Sequence, residues 1–247
     1  MANVICVFGS PNSGSTVFSI GLARKFAKLG NNVALLCPDL ISPVIPAILP
    51  QDSKKVGANE SKSIGKIFAN AAISYNDILL QMVTATKQDR LVLLGYALGD
   101  NNLSYPAPSE QDVYVFYQRL CEMVDIIVVD CTHDVNDVIT KVALANADSI
   151  IRCGDCTFKS IAYFASNLPL VPTNNIATSD HIVVYPKVKN SDNTDEVSGI
   201  VGNSDYEIRY ISEIERMSAD GELLFSPYPA QYSKVIDKIV KEMVLVG

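Results

Sequence analysis

Near the start of the chain, eight residues have the types and spacing needed to hold a phosphate group. They are Gly9, Ser10, Pro11, Asn12, Ser13, Gly14, Ser15 and Thr16, with the spacing G-x-x-x-x-G-x-T. Two glycines permit a tight turn whose backbone N–H groups can surround an anion, and the Thr16 hydroxyl can bind Mg²⁺. The lysine that normally precedes this threonine is absent, because Ser15 occupies its position.

The missing lysine should impair hydrolysis more than binding. Phosphoryl transfer is catalysed mainly by positioning and by electrostatic stabilisation, to which that lysine adds a positive charge. Backbone N–H groups and Mg²⁺ remain available whatever residue occupies position 15. We therefore expect inefficient hydrolysis, and weak binding or no binding of ATP or ADP with Mg²⁺ fits the sequence equally well. A Gly/Ser turn that only joins a strand to a helix is the alternative interpretation.

Two aspartates are candidates to complete this site. Asp130 ends the apolar run Ile126–Val129 and can hold Mg²⁺ through water, and Asp39 follows the run Val33–Cys37 and can position a water molecule. Because the carboxyl ends of parallel strands lie at one edge of an open sheet, both carboxylates should converge on the glycine-containing loop. The alternatives are an ordinary turn residue for Asp39 and an ordinary loop acid for Asp130.

The loop Gly9–Thr16, the apolar run ahead of it and the strand ending at Asp130 together resemble the MinD/ParA-type P-loop ATPases. In that family a deviant Walker A motif carries a second lysine after its first glycine, at the position of Ser10. That lysine reaches across a nucleotide-sandwich dimer to the partner's phosphates. The resemblance implies Mg²⁺ ligands at Thr16 and Asp130, a catalytic candidate at Asp39 and a homodimer. The family's base-contacting asparagine corresponds to Tyr185-Pro186-Lys187.

Loss of both lysines makes the chain similar to degenerate members of the family. The resemblance then implies a localisation or assembly factor that binds a protein partner, like the pilus-assembly members, with the proline-rich segment Ser42–Pro50 as the candidate contact. The rival function is a slow Mg²⁺-dependent ATPase of the same type. Its cation would come from Lys54, Lys55 or Arg152, or from a partner subunit.

Apolar runs that alternate with helical patterns predict the fold. Continuous apolar runs are typical of parallel strands buried on both faces. We predict a three-layer α/β domain over residues 1–247, with a mostly parallel sheet and helices on both faces. The predicted strands are Val4–Phe8, Val33–Cys37, Leu91–Leu94, Ile126–Asp130, Ser149–Arg152, His181–Tyr185 and Tyr206–Tyr210. The predicted helices lie in 16–29, 61–83, 109–123, 133–146, 157–165 and 233–246.

Two segments depart from this alternation. Three prolines in Leu40–Pro50 predict a surface loop without a regular helix, and the polar composition of Pro186–Ser204 predicts a mobile loop.

The charge and the hydropathy pattern of the chain limit the kinds of partner that we expect it to bind. The net charge of −7, from 20 basic and 27 acidic residues, argues against direct nucleic-acid binding. The start of the chain lacks a basic segment before its first apolar run, and we expect a cytoplasmic protein. The amphipathic segment Ser233–Val246 is expected to cover the sheet as a last helix, in preference to attaching to a membrane.

A pair of cysteines suggests a third function, that of a redox or zinc-binding protein. Cys153 and Cys156 form a C-x-x-C sequence that could serve a redox reaction or bind zinc, with Cys131 and His133 or His181 as further ligands. The alternative is small residues at a strand-to-helix turn. His133 also follows Asp130 closely enough to be considered as a general base.

Overall fold

Buried apolar runs form an eight-stranded sheet in the computed structural model, which describes residues 2–49, 62–84, 89–172 and 175–246. In the described part, the strands are β1 (Asn3–Gly9), β2 (Val33–Cys37), β3 (Val83–Thr84), β4 (Leu91–Gly95), β5 (Ile126–Asp130), β6 (Ser149–Cys153), β7 (Ile182–Val188) and β8 (Tyr206–Arg209). Their order in the sheet is β3-β4-β2-β5-β1-β6-β7-β8. All neighbours are parallel except the short β3, which pairs antiparallel with β4. The predicted mostly parallel sheet is confirmed.

Helices cover both faces of the sheet. In the described part, they are α1 (Ser15–Lys28), α2 (Ile45–Ile48), α3 (Ile64–Phe68), α4 (Tyr75–Gln81), α5 (Glu110–Met123), α6 (Val138–Ala145), α7 (Phe158–Asn167), α8 (Thr194–Val201), α9 (Ser212–Ala219) and α10 (Ala230–Val246). One core lies between the sheet and α1, α2, α9 and α10. The other core lies between the opposite face and α3 to α8. This is the expected three-layer α/β architecture.

The predictions for the two irregular segments are wrong. The region Pro186–Ser204 contains the end of β7 and the helix α8, whose Val197 and Val201 are buried. The polar composition of this segment predicted a loop because most residues of α8 are polar or small, and only the two valines pack inward.

The proline-rich segment also contains a helix. Pro46 lies in the first turn of α2, where a helix tolerates proline because the N–H has no partner there in any case. Ile45 and Ile48 are buried, so the segment is less exposed than expected. Pro50, Lys54 and Lys55 lie outside the described residues.

The last helix covers the sheet, as expected. Tyr232, Ile236, Ile239 and Val240 of α10 are buried in the same core as α1. Across the residues that the structure describes, no helix is both long enough and apolar enough to cross a membrane.

Candidate functional site

The phosphate-loop candidate joins the end of β1 to the start of α1. Gly14 precedes the first residue of α1 with a φ of 96°, and Asn12 has a φ of 65°. Among the described residues, no side-chain hydrogen bond caps this helix. Since the first N–H groups of a helix have no partner within the helix itself, they can serve as donors to an anion.

Gly9 is required for close packing. A Cβ atom on Gly9 would lie 2.5 Å from the Cys153 carbonyl oxygen and 2.5 Å from Ser13 Oγ. The loop therefore lies tightly against the end of β6.

Serines at the two family lysine positions point into the protein. Ser10 is fully buried, and its Oγ lies 2.9 Å from Ser160 Oγ at the start of α7. Ser15 is 4% exposed. Neither side chain brings a charge to the loop or extends outward. The hydroxyl of Ser13 is also buried, close to Gly9, and has no hydrogen-bond partner within the described structure.

Asp130 lies beside the loop at the end of β5. Its carboxylate accepts a hydrogen bond from Ser19 Oγ at 3.1 Å, and Thr16 also hydrogen-bonds to it. Burial raises the pKa of Asp130 to about 6, although the hydrogen bonds from Thr16 and Ser19 oppose the shift. A buried carboxylate beside a hydroxyl is an oxygen donor set that suits Mg²⁺, whose charge would offset the lost solvation. The proposed ligands Thr16 and Asp130 therefore lie together.

The candidate catalytic residue Asp39 is engaged in a turn. Its Oδ1 accepts the backbone N–H groups of Ile41 at 2.8 Å and Ser42 at 3.0 Å. This hydrogen-bonding fits the alternative interpretation of Asp39 as a turn residue. Its negative charge is a minor contributor to the raised pKa of Asp130, after burial. A role in positioning water stays a prediction.

A cavity of about 380 Å³ opens from the loop toward β7 and β8. Its wall includes Gly14, Thr16 and three basic side chains, namely His133, Lys187 and Arg209. Neither Lys187 nor Arg209 was predicted from the sequence as a cation source. Both lie at the carboxyl ends of their strands, and that position is the signal that could have revealed them. Tyr185, in the segment that replaces the family's base-contacting asparagine, is instead buried and donates its hydroxyl to the Gly202 carbonyl.

Arg152, one of the suggested cation sources, is not available. It is 4% exposed, and its two terminal nitrogens donate to the carbonyls of Val201 and Thr178 at 2.7 Å each. This guanidinium joins α8 to the sheet on the face away from the loop's cavity, so that suggestion is wrong.

The cysteine pair lacks the surroundings of a redox or zinc site. Burial raises the pKa of Cys153 and raises that of Cys156 to about 11, whereas metal ligation and redox attack need thiolates. His181 is buried with its ring edge against Phe8. Among the residues that the structure describes, no group of three His, Cys, Asp or Glu side chains could hold a metal ion. The geometry favours small residues packed at a turn.

Several solved structures share this architecture. A ParA family ATPase from Chlorobium tepidum superposes with a TM-score of 0.77 at 14% identity, covering 97% of this chain and 99% of that one. A plasmid partition protein from Borrelia burgdorferi bound to AMPPNP gives 0.74 at 18% identity, covering 100% of both chains. The MinC:MinD cell division protein complex of Aquifex aeolicus gives 0.69 at 14%, covering 98% and 96%.

These likenesses, with the loop between β1 and α1, define the fold. The chain has the MinD/ParA-type P-loop fold. No protein-family model matches the sequence, and no curated protein matches it. The fold is therefore shared with these proteins at sequence identities too low to carry over an activity.

Proposed function

We propose that residues 1–247 form one degenerate MinD/ParA-like domain that acts in the cytoplasm by binding a protein partner. In this proposal the loop retains a weak site for the phosphates of ATP or ADP and has lost efficient hydrolysis. One observation carries it: the loop Gly9–Thr16 contains no basic residue, and both family lysine positions hold buried serines. A buried serine cannot neutralise the charge that develops on a transferred phosphoryl group.

Each part of the site has a separate task in this proposal. The N–H groups at the start of α1, where Gly14, Ser15 and Thr16 line the cavity, bind the phosphate oxygens. Thr16 and Asp130 would hold Mg²⁺. The ion, when bound, would supply positive charge that the loop lacks. Binding of nucleotide would then depend on Mg²⁺ more strongly than in a loop with a lysine.

One observation favours the rival function, a slow Mg²⁺-dependent ATPase. Lys187 and Arg209 line the cavity, so the chain itself could bring a cation close to a bound phosphate. Phosphoryl transfer tolerates cations that come from outside the loop. Measurement of phosphate release separates this rival from the proposal.

The partner surface is proposed at the carboxyl edge of the sheet. Large apolar side chains are exposed in the segments that follow β2, β4 and β6, and such exposure marks interaction sites. They are Ile41 at 96%, Leu98 at 80%, Leu103 at 92% and Phe158 at 89%. The segment Ser42–Pro50 itself contributes less than expected, since Ile45 and Ile48 are buried. In the Aquifex aeolicus complex, MinD is assembled with another protein, MinC.

Site-specific photo-crosslinking in cells tests this surface. With a benzophenone amino acid at Leu103 or at Phe158, we expect a crosslinked protein partner. The matched control is Leu29, which is 55% exposed at the opposite end of α1 and should give no such product. A crosslinked mass of two chains would identify the partner as a second copy, a homodimer. Equal products from Leu29 and Leu103 would contradict the proposed surface.

A further inference from the structure

The phosphate loop is directly contacted by one histidine from a distant part of the chain. His133 lies between β5 and α6, and its Nδ1 is 2.9 Å from the carbonyl oxygen of Gly9. A carbonyl oxygen can only accept, so Nδ1 carries the proton and donates it. This hydrogen bond fixes the tautomer of the neutral ring and ties the imidazole to the first residue of the loop.

A second contact fixes the orientation of the ring. Tyr163 on α7 meets His133 edge to face, with ring centroids 6.4 Å apart, and its hydroxyl donates to the His133 carbonyl at 2.9 Å. Two independent elements, the loop and α7, therefore hold the histidine in place. A solvated loop histidine would not need such contacts.

The remaining ring nitrogen is free to meet a ligand. Within the described part of the chain, Nε2 of His133 has no hydrogen-bond partner, and the exposed ring lines the cavity together with Gly14 and Thr16. In the imidazolium form Nε2–H is a charged donor, and charged donors form the stronger hydrogen bonds to phosphate. Lys187 and Arg209 line the same cavity but lie on β7 and β8, without a hydrogen bond to the loop in the described structure.

We propose that the imidazolium of His133 binds a phosphate oxygen at the loop through Nε2, and so supplies the positive charge that the loop sequence lacks. This inference rests on the proposed phosphate site. It makes His133 a binding residue of that site, held by Gly9 on one side and by Tyr163 on the other. It also explains why a loop without a basic residue can keep affinity for a polyphosphate.

Two isosteric substitutions separate binding from positioning. In His133→Asn the side-chain amide can still donate to the Gly9 carbonyl, but nothing replaces Nε2. In His133→Gln the amide can reach the Nε2 position and donate there without a charge. The probe is inorganic pyrophosphate, titrated calorimetrically into the full chain with Mg²⁺ present. Thermal unfolding of each variant establishes that it is folded.

We expect His133→Asn to weaken pyrophosphate binding about tenfold or more, since a hydrogen bond to a charged group is lost, and His133→Gln to recover part of the affinity. Unchanged affinity in folded His133→Asn would overturn the inference, as would a loss found only in Lys187→Ala or Arg209→Ala. If the wild-type chain itself binds no pyrophosphate, the proposed phosphate site fails, and this inference fails with it. Wild-type binding with an unaffected His133→Asn leaves the proposed site standing and rejects only the role of His133.

Discussion

Substitution of Asp130 by asparagine is expected to raise the free energy of unfolding at pH 7.5 by about 2–3 kcal/mol in the absence of Mg²⁺. The reason is that the buried carboxylate is ionised at this pH, at a cost in lost solvation that is only partly offset by Thr16 and Ser19. Asparagine keeps an acceptor for Ser19 Oγ and removes the charge. Chemical denaturation at equilibrium measures the difference.

The sign of the pH dependence follows from the raised pKa of Asp130, which is about 6 in the folded chain against an ordinary value of 3.8. Below the lower value both states are protonated, and this group contributes nothing to the dependence. Between the two values the unfolded state loses its proton first, so stability falls as pH rises. Above about 6 the cost is constant, and one pKa unit corresponds to about 1.36 kcal/mol.

The advantage of Asp130→Asn should therefore be present at pH 7.5 and shrink toward pH 4. The control is Asp89→Asn at an exposed position, which should change stability by less than about 0.5 kcal/mol. A destabilised Asp130→Asn at pH 7.5 would show that the carboxylate is well solvated in the folded chain. A stabilising effect would show that Asp130 does not favour folding, as expected of a carboxylate that serves to bind Mg²⁺.

Replacement of Gly9 by alanine is expected to destabilise the chain by about 3 kcal/mol and to abolish binding of pyrophosphate. The added Cβ would lie 2.5 Å from a backbone carbonyl oxygen, that of Cys153, which cannot turn away as a flexible side chain would. Relief of the overlap must move the loop away from β6. The hydrogen bond between His133 and the Gly9 carbonyl would then be disturbed as well.

Gly199→Ala provides a control with the opposite sign. Gly199 lies in α8, and among the described residues its Cβ would meet open space beyond its own helix. Alanine there should stabilise the chain by about 0.5–1 kcal/mol, because glycine loses more backbone entropy in a helix. Denaturation curves for both variants test the pair. Equal effects of Gly9→Ala and Gly199→Ala would contradict the close packing of the loop.

Most of the fold could be predicted because continuous apolar runs are a strong local signal. The runs at Val33–Cys37 and Ile126–Asp130 match β2 and β5 at both ends. The short β3 was missed because two residues carry no recognisable pattern, and its pairing with β4 depends on tertiary contact. The helix α8 was missed because its polar residues outnumber the two buried valines, Val197 and Val201, that pack it against the core.

The candidate site was predictable only where a motif marks it. The loop Gly9–Thr16 and Asp130 could be named from the sequence, since their spacing and position after strands are local features. His133, Lys187 and Arg209 reach the same cavity from three separate parts of the chain. Only the folded sheet brings them together, so no spacing along the sequence could identify them as a group.

The central claim, a phosphate loop that binds nucleotide without efficient hydrolysis, is tested most directly by calorimetric titration of the chain with ATP and Mg²⁺, alongside an assay of phosphate release. We expect a dissociation constant below about 1 mM and no phosphate release above background. We also expect binding at least about tenfold tighter in Ser15→Lys than in the uncharged, similarly long Ser15→Met. Phosphate release above background that Asp39→Ala abolishes, even at the roughly 10⁻⁴ to 10⁻² s⁻¹ of unassisted P-loop enzymes, would contradict this claim in favour of the slow ATPase. Absence of binding at about 10 mM ATP would contradict it in the other direction and leave the loop as a turn between β1 and α1.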